Sequence, residues 1–218
     1  MKKKFILFSL FACILFTGCT TISDMSMQEI IDVGTNREAI VYNMYRKGYK
    51  YFLPRGLAVK DSTDYNEIID DGDYKYYLYV DAVSHYNKVI EKYEVNKDVH
   101  TSMQISYEDK YGYLEINNIK DDKYFIEIMY NYAKIEVIVR EIDVKVVVSN
   151  ALSILASIDF NDDVLKTLLD DETSNFTEVE VDIFKTTSSA DSDYLGAVEE
   201  DEEEIEADDY IYDSDYID

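Results

Sequence analysis

The chain has 218 residues, 47% hydrophobic and 14% aromatic, enough to bury a real core despite a formal net charge of −25. A polyanion gains nothing from releasing phosphate counterions, so the charge excludes nucleic acid as a partner and electrostatic docking to anionic lipid. Only two cysteines occur, Cys13 and Cys19, both near the N-terminus. That placement leaves none for a disulfide, a thiolate metal site or a nucleophile in the body of the chain.

Charge is distributed in three parts: residues 1–18 carry +3, residues 19–185 carry −14, and residues 186–218 carry −14 with no base among them. The first part opens on Lys2, Lys3 and Lys4. An apolar run from Phe5 to Phe16 follows, then Thr17, Gly18 and Cys19. These are the three regions of an export signal. A run of twelve residues falls short of the roughly 20 that cross a bilayer as a permanent helix.

A cysteine directly after Phe-Thr-Gly resembles the lipobox of bacterial lipoproteins, with Phe16 where an aliphatic residue is usual. The resemblance implies cleavage between Gly18 and Cys19 and a thioether-linked diacylglycerol on Cys19, with palmitate-type chains as the anchor. The alternative is an ordinary export signal. Two acyl chains hold stably where one is marginal, because each buried methylene contributes roughly 0.8 kcal/mol. Residues 1–18 therefore read as a lipoprotein signal peptide and 19–35 as a tether. The mature protein is expected at the cell membrane, lipid-anchored and outside the cytoplasm.

Residues 36–185 read as a single α+β domain. Asn36–Tyr45 is open between a short helix and an extended arm. Tyr49–Leu53 reads as a strand closed by the turn Pro54-Arg55-Gly56, with Leu57–Lys60 beyond it. Tyr65–Ile69 and Tyr74–Val80 flank Asp70-Asp71-Gly72-Asp73, a hairpin signal in which Gly72 accepts positive φ. Val83–Tyr93 has helical spacing. Met103–Tyr107, Tyr111–Asn117, Tyr124–Tyr130 and Lys134–Arg140 follow as strands whose short connections make neighbours antiparallel.

After Asp143, a candidate N-cap, Val144, Val147, Val148, Ala151, Leu152, Leu155 and Ile158 recur at steps of three and four. The expectation is an antiparallel meander sheet covered by this one long C-terminal helix. Asp162–Leu169 adds a helical turn, and Glu178–Phe184 alternates like an edge strand. Residues 186–218, acidic and with sparse apolar residues, read as a disordered tail. The element order, entered by KGYKYFLPRGLAV, resembles the PsbP-like fold. The runs YKYYLYVD, YGYLEIN and YNYAKIEVIV are also similar to those of uncharacterised lipoproteins of low-GC bacteria. Neither resemblance brings an active site.

Motifs for catalysis are missing. There is no HExxH, GxSxG, Walker A loop or GxGxxG. His85 and His100 stand 15 positions apart and read as locally bonded histidines, not zinc ligands, so no metal site, catalytic residue or cofactor is assigned. Asp70, Asp71 and Asp73 read as turn residues because the closing glutamate of a calcium loop is absent.

Seventeen of the 21 tyrosines lie between Tyr42 and Tyr132. Tyr77 and Tyr79, on the strand face opposite Leu78 and Val80, are the candidate binding surface, since tyrosine offers rigid contact area with a polar end. The leading expectation is a non-enzymatic binding or interaction module for a protein or glycan ligand. The alternatives are a cell-envelope hydrolase working with paired carboxylates and a cation-binding surface protein acting through the acidic tail. Replacing Cys19 tests the anchor: Cys19→Ser is expected to abolish labelling by a clickable fatty acid and to move the protein from the membrane fraction to the soluble one.

Overall fold

The computed structural model describes residues 21–36, 41–90 and 92–169. Cys19, Gly18, residues 186–218 and the Glu178–Phe184 strand lie outside the described residues. In chain order the elements are α1 (Met27–Thr35), β1 (Met44–Arg46), β2 (Tyr49–Tyr51), β3 (Ala58–Ser62), β4 (Asn66–Asp70), β5 (Lys75–Val80), α2 (Ala82–Asn87), β6 (Thr101–Tyr107), β7 (Lys110–Asn118), β8 (Lys123–Tyr130), β9 (Ala133–Arg140), α3 (Val144–Ala156), β10 (Asp159–Phe160) and α4 (Asp162–Leu169). The class is α+β, dominated by antiparallel strands. No helix among the described residues is long and apolar enough to cross a membrane.

Seven strands form one sheet in the order β3-β4-β5-β9-β8-β7-β6, and a small second sheet has the order β1-β2-β10. The expected simple meander is corrected here: β5 pairs with β9, not β6. Two meanders therefore meet in the middle of the sheet, and the stretch from α2 to His100 carries the chain to the far edge. Tight turns fix the hairpins. Asn131 and Tyr132, between β8 and β9, both take positive φ (55° and 60°), the geometry whose twist matches two paired strands. The Asn131 side-chain amide also donates to the buried Ile158 carbonyl at 2.8 Å, so the strained position is held from the chain just past the end of α3. Gly72 takes φ 99° in the β4–β5 turn.

Period-two alternation sends Tyr76, Leu78, Val80, Leu114, Ile116, Ile126, Ile128, Ile135 and Val137 to one face, where all are buried. Against that face packs α3, which touches β8 and β9. It runs 13 residues and ends at Ala156, where the expected helix continued to Ile158. Ser157 stops it: its hydroxyl donates to the Ile154 carbonyl (2.7 Å) and accepts the Phe52 amide (2.8 Å), tying the helix end to the chain after β2.

A second helix shares that core, and it lies where the sequence suggested a tether. A capping box closes the start of α1: the Glu29 amide donates to the Ser26 hydroxyl, and the Ser26 amide donates to the Glu29 carboxylate at 2.7 Å. Ile30 and Ile31 are buried, and Gly34 sits so close to α3 that a Cβ there would meet Leu152 at 2.9 Å. The expected tether therefore does not extend through 27–35. α2 likewise stops before its sequence periodicity does, because Lys88 turns into the left-handed region (φ 54°) and closes the helix after Asn87.

The two sheets are joined by a buried charge. Alternation in β4 turns Glu67 inward with Ile69, and Glu67 is 2% exposed. Its carboxylate accepts from Arg46 Nε (3.0 Å) and Nη2 (2.7 Å), and from the hydroxyls of Tyr49 (3.0 Å) and Tyr51 (2.8 Å). Burial, with the nearby Glu67 charge, pushes both phenols far above the ordinary tyrosine range, so they act as donors only. Removing one partner of such a group strands the others. Glu67→Ala is expected to destabilise the fold by about 3–5 kcal/mol in urea denaturation, with Glu67→Gln losing less because the amide oxygen still accepts.

Candidate functional site

The face of the large sheet opposite the apolar core carries the polar halves of the strands. Register places them in rows. One row runs Tyr113, Met129, Lys134, Tyr79, Asn66 across β7, β8, β9, β5 and β4. The next row runs Glu115, Glu127, Glu136, Tyr77, Ile68 across the same strands. Three glutamates thus stand directly side by side, an arrangement that destabilises a sheet unless it is compensated.

The compensation differs along the row. Glu136 pairs with Lys134 at 3.0 Å. Glu127 accepts the Tyr113 hydroxyl at 2.6 Å and Glu115 accepts that of Tyr93 at 2.5 Å. Tyr93 lies outside the sheet, in the chain between α2 and β6. Its ring stacks on Tyr113 with centroids 4.3 Å apart and planes 9° apart. Ser102, which accepts the Asn96 amide at 2.8 Å, bonds the same Tyr93 hydroxyl. Burial first, then the bond to Glu115, raises the Tyr93 phenol above its ordinary value.

Two clefts open on this face. A cleft of about 160 Å³ is lined by Tyr77, Tyr79, Lys134, Glu136, Asn66 and Asp61. A larger one of about 240 Å³ is lined by Tyr93, Tyr113, Glu115, Glu127 and Met129, with Val89 and Ile90 on its wall. Tyr77 and Tyr79, the residues singled out from the sequence, lie on the outer face, half-buried, in the smaller cleft. The glutamate row also has a signal in the sequence. Leu114-Glu115-Ile116, Ile126-Glu127-Ile128 and Ile135-Glu136-Val137 repeat one pattern in three successive strands, a glutamate between two apolar residues.

The other candidates have structural partners. Asp70 accepts the Gly72 amide (2.7 Å), and Asp71 accepts the amides of Asp73 (3.0 Å) and Tyr74 (2.8 Å) and the hydroxyl of Tyr76 (2.8 Å). These carboxylates build the hairpin turn. No group of three or more metal-ligating side chains is found among the described residues. His100 contacts Thr101 Oγ1 at 3.1 Å and meets the Tyr124 ring edge-on. His85 stacks on Phe160 at 3.8 Å, meets Tyr132 edge-on, and places Nε2 2.9 Å from Asp162 at the start of α4.

Comparison with family models, with curated proteins and with solved structures finds no match for this chain.

His85 gives a pH prediction. Its Nδ1 is buried without a partner, and burial holds the imidazole below its ordinary value near 6.5 against the opposing pull of Asp162. The unfolded chain therefore binds that proton more tightly than the folded one, so stability is full above about pH 6.5 and falls as the pH drops through and below it. Thermal melts of His85→Gln, compared with the parent from pH 7.5 to 5, are expected to show a flatter pH dependence.

Proposed function

We propose that this protein is a lipid-anchored binding module of the cell envelope, non-enzymatic, held at the outer side of the cell membrane by acylated Cys19. The observation that carries the binding reading is the cleft on the outer sheet face, where Tyr77 and Tyr79 stand beside the Lys134–Glu136 pair. Two phenol rings, one cation and one carboxylate on rigid neighbouring strands suit a polar ligand with flat faces, a sugar or a peptide. The export signal ending in Cys19 supports the location.

A paired-carboxylate hydrolase needs one carboxyl held as a proton donor. Glu115 and Glu127 instead each accept a hydrogen bond from a tyrosine hydroxyl, which favours binding over hydrolysis. The PsbP-like arrangement belongs to the same proposal and draws support from the antiparallel sheet followed by α3.

A photocrosslinking residue placed at position 79 and activated in intact cells is expected to give a discrete adduct that Tyr77→Ala weakens at least fivefold and Cys19→Ser removes. Digestion of the adduct by protease or by glycan hydrolase tells the two ligand classes apart. Adducts of equal yield from an exposed control position on another face would defeat the reading.

A further inference from the structure

We infer that the larger cleft, separate from the Tyr77 and Tyr79 surface, binds a primary alkylammonium group seated between Glu115 and Glu127. The cleft has a floor, a roof and a wall. β7 and β8 make the floor, and register sets Glu115 opposite Glu127. Side chains at directly opposed positions start from Cβ atoms roughly 4.5–5.5 Å apart, so one small cation can reach both carboxylates.

Each carboxylate receives one tyrosine hydroxyl on its Oε1, while its Oε2 accepts no hydrogen bond from a described residue. Neither forms an ion pair, although Glu136, next in the row, has Lys134. Lys92 lines the cleft but is exposed and pairs with neither carboxylate. A hydroxyl dipole orients toward a carboxylate without neutralising it. Two adjacent half-buried negative charges in a concave site are therefore left for a cation from outside.

The shape of the site narrows the class. A hard divalent ion such as calcium takes six to eight oxygens, and two carboxylates with one oxygen of each already engaged supply too few. An ammonium offers three N–H donors from a single point and needs only the two free oxygens and a ring face. The stacked rings of Tyr93 and Tyr113 border the carboxylates, and a cation near a phenol ring gains further attraction. The wall is apolar: Val89, Ile90 and Tyr111 are 50%, 54% and 42% exposed, and Met129 completes it. That wall suits the hydrocarbon chain carrying the amine. A free alkylamine and a lysine side chain of a peptide share this chemistry.

The test uses the intact chain with ring-labelled tyrosine, observed by NMR and titrated in parallel with n-hexylammonium, with n-hexanol and with an acetylated, amidated lysine tripeptide. Saturable shifts of the Tyr93 and Tyr113 ring signals with the amine or the lysine peptide, and none with hexanol, are expected. Whichever of the two saturates identifies the source. In Glu115→Gln/Glu127→Gln the affinity is expected to fall at least tenfold. That variant removes a like-charge contact, so its urea midpoint should match or exceed the parent's, which separates lost binding from lost fold. Equal shifts with hexanol, unchanged affinity in the double variant, or no shift with either amine would each overturn the assignment. Diffuse uptake of amine by the acidic residues 186–218 leaves those two ring signals unmoved, and would count against the cleft.

Discussion

The β1–β2 hairpin, and the elements that dock on it, hang on the Glu67 carboxylate. An ionised carboxyl moved into the interior costs several kcal/mol unless it is paired and its lone pairs are filled. β4 must nevertheless turn Glu67 inward if Ile69 is to reach the core. The four donors that satisfy it come from β1 and β2, so that hairpin is held against the inner side of β4. β10 then pairs with β2, and the Asn161 amide donates to the Gly48 carbonyl at 2.8 Å. Position passes from there to α4, whose first residue, Asp162, meets His85 of α2. One buried charge thereby sets the place of the β1–β2 hairpin and, through it, of β10 and α4.

The outer face follows from the inner one. A one-residue slip between strands would turn every buried side chain outward, so the register that buries Leu114, Ile116, Ile126, Ile128, Ile135 and Val137 is fixed. The same register compels Glu115, Glu127 and Glu136 to stand abreast. Tyr93 is one of the groups that meet this repulsion. Its hydroxyl reaches Glu115 only because the chain leaves α2 at Lys88 and crosses over β7. Packing on one face has in this way dictated both the chemistry and the loop path on the other.

Local features were legible in the sequence: the spans of β2 and of the large sheet's strands, though not β1 or β10, the Gly72 turn, the start of α3, and the outward placing of Tyr77 and Tyr79. What escaped were relations between segments. The pairing of β5 with β9 is not recorded in either strand, since each alternates equally well beside any neighbour. α1 was read as tether because Thr20–Met27 is small and polar, although Ser26 and Glu29 already spell a capping box ahead of Ile30 and Ile31. α2 was read too long because apolar spacing cannot show that Lys88 adopts a left-handed turn. Glu67 gave no warning, since a lone glutamate in an alternating strand looks solvent-facing until its partners, 16 to 21 positions earlier, are in place. The glutamate row was visible in pattern, and only the register gave it meaning.

The docking of α1 changes what a lipid on Cys19 would do. A free tether reaching to residue 35 would let the domain range far from the bilayer. The chain is instead held as early as Ser23, whose carbonyl accepts from Lys145 Nζ on α3 at 2.8 Å. From Cys19 to Ser23 there are four residue steps, which at about 3.3–3.6 Å each span roughly 14 Å when fully extended. Under the proposed anchor the acidic domain lies within about two Debye lengths of the headgroups at physiological salt. Repulsion from anionic lipid pushes it outward while two acyl chains hold it in. Because Ser23 is held on the α3 side of the sheet, both clefts open on the face away from that anchor point, toward ligands approaching from outside the bilayer.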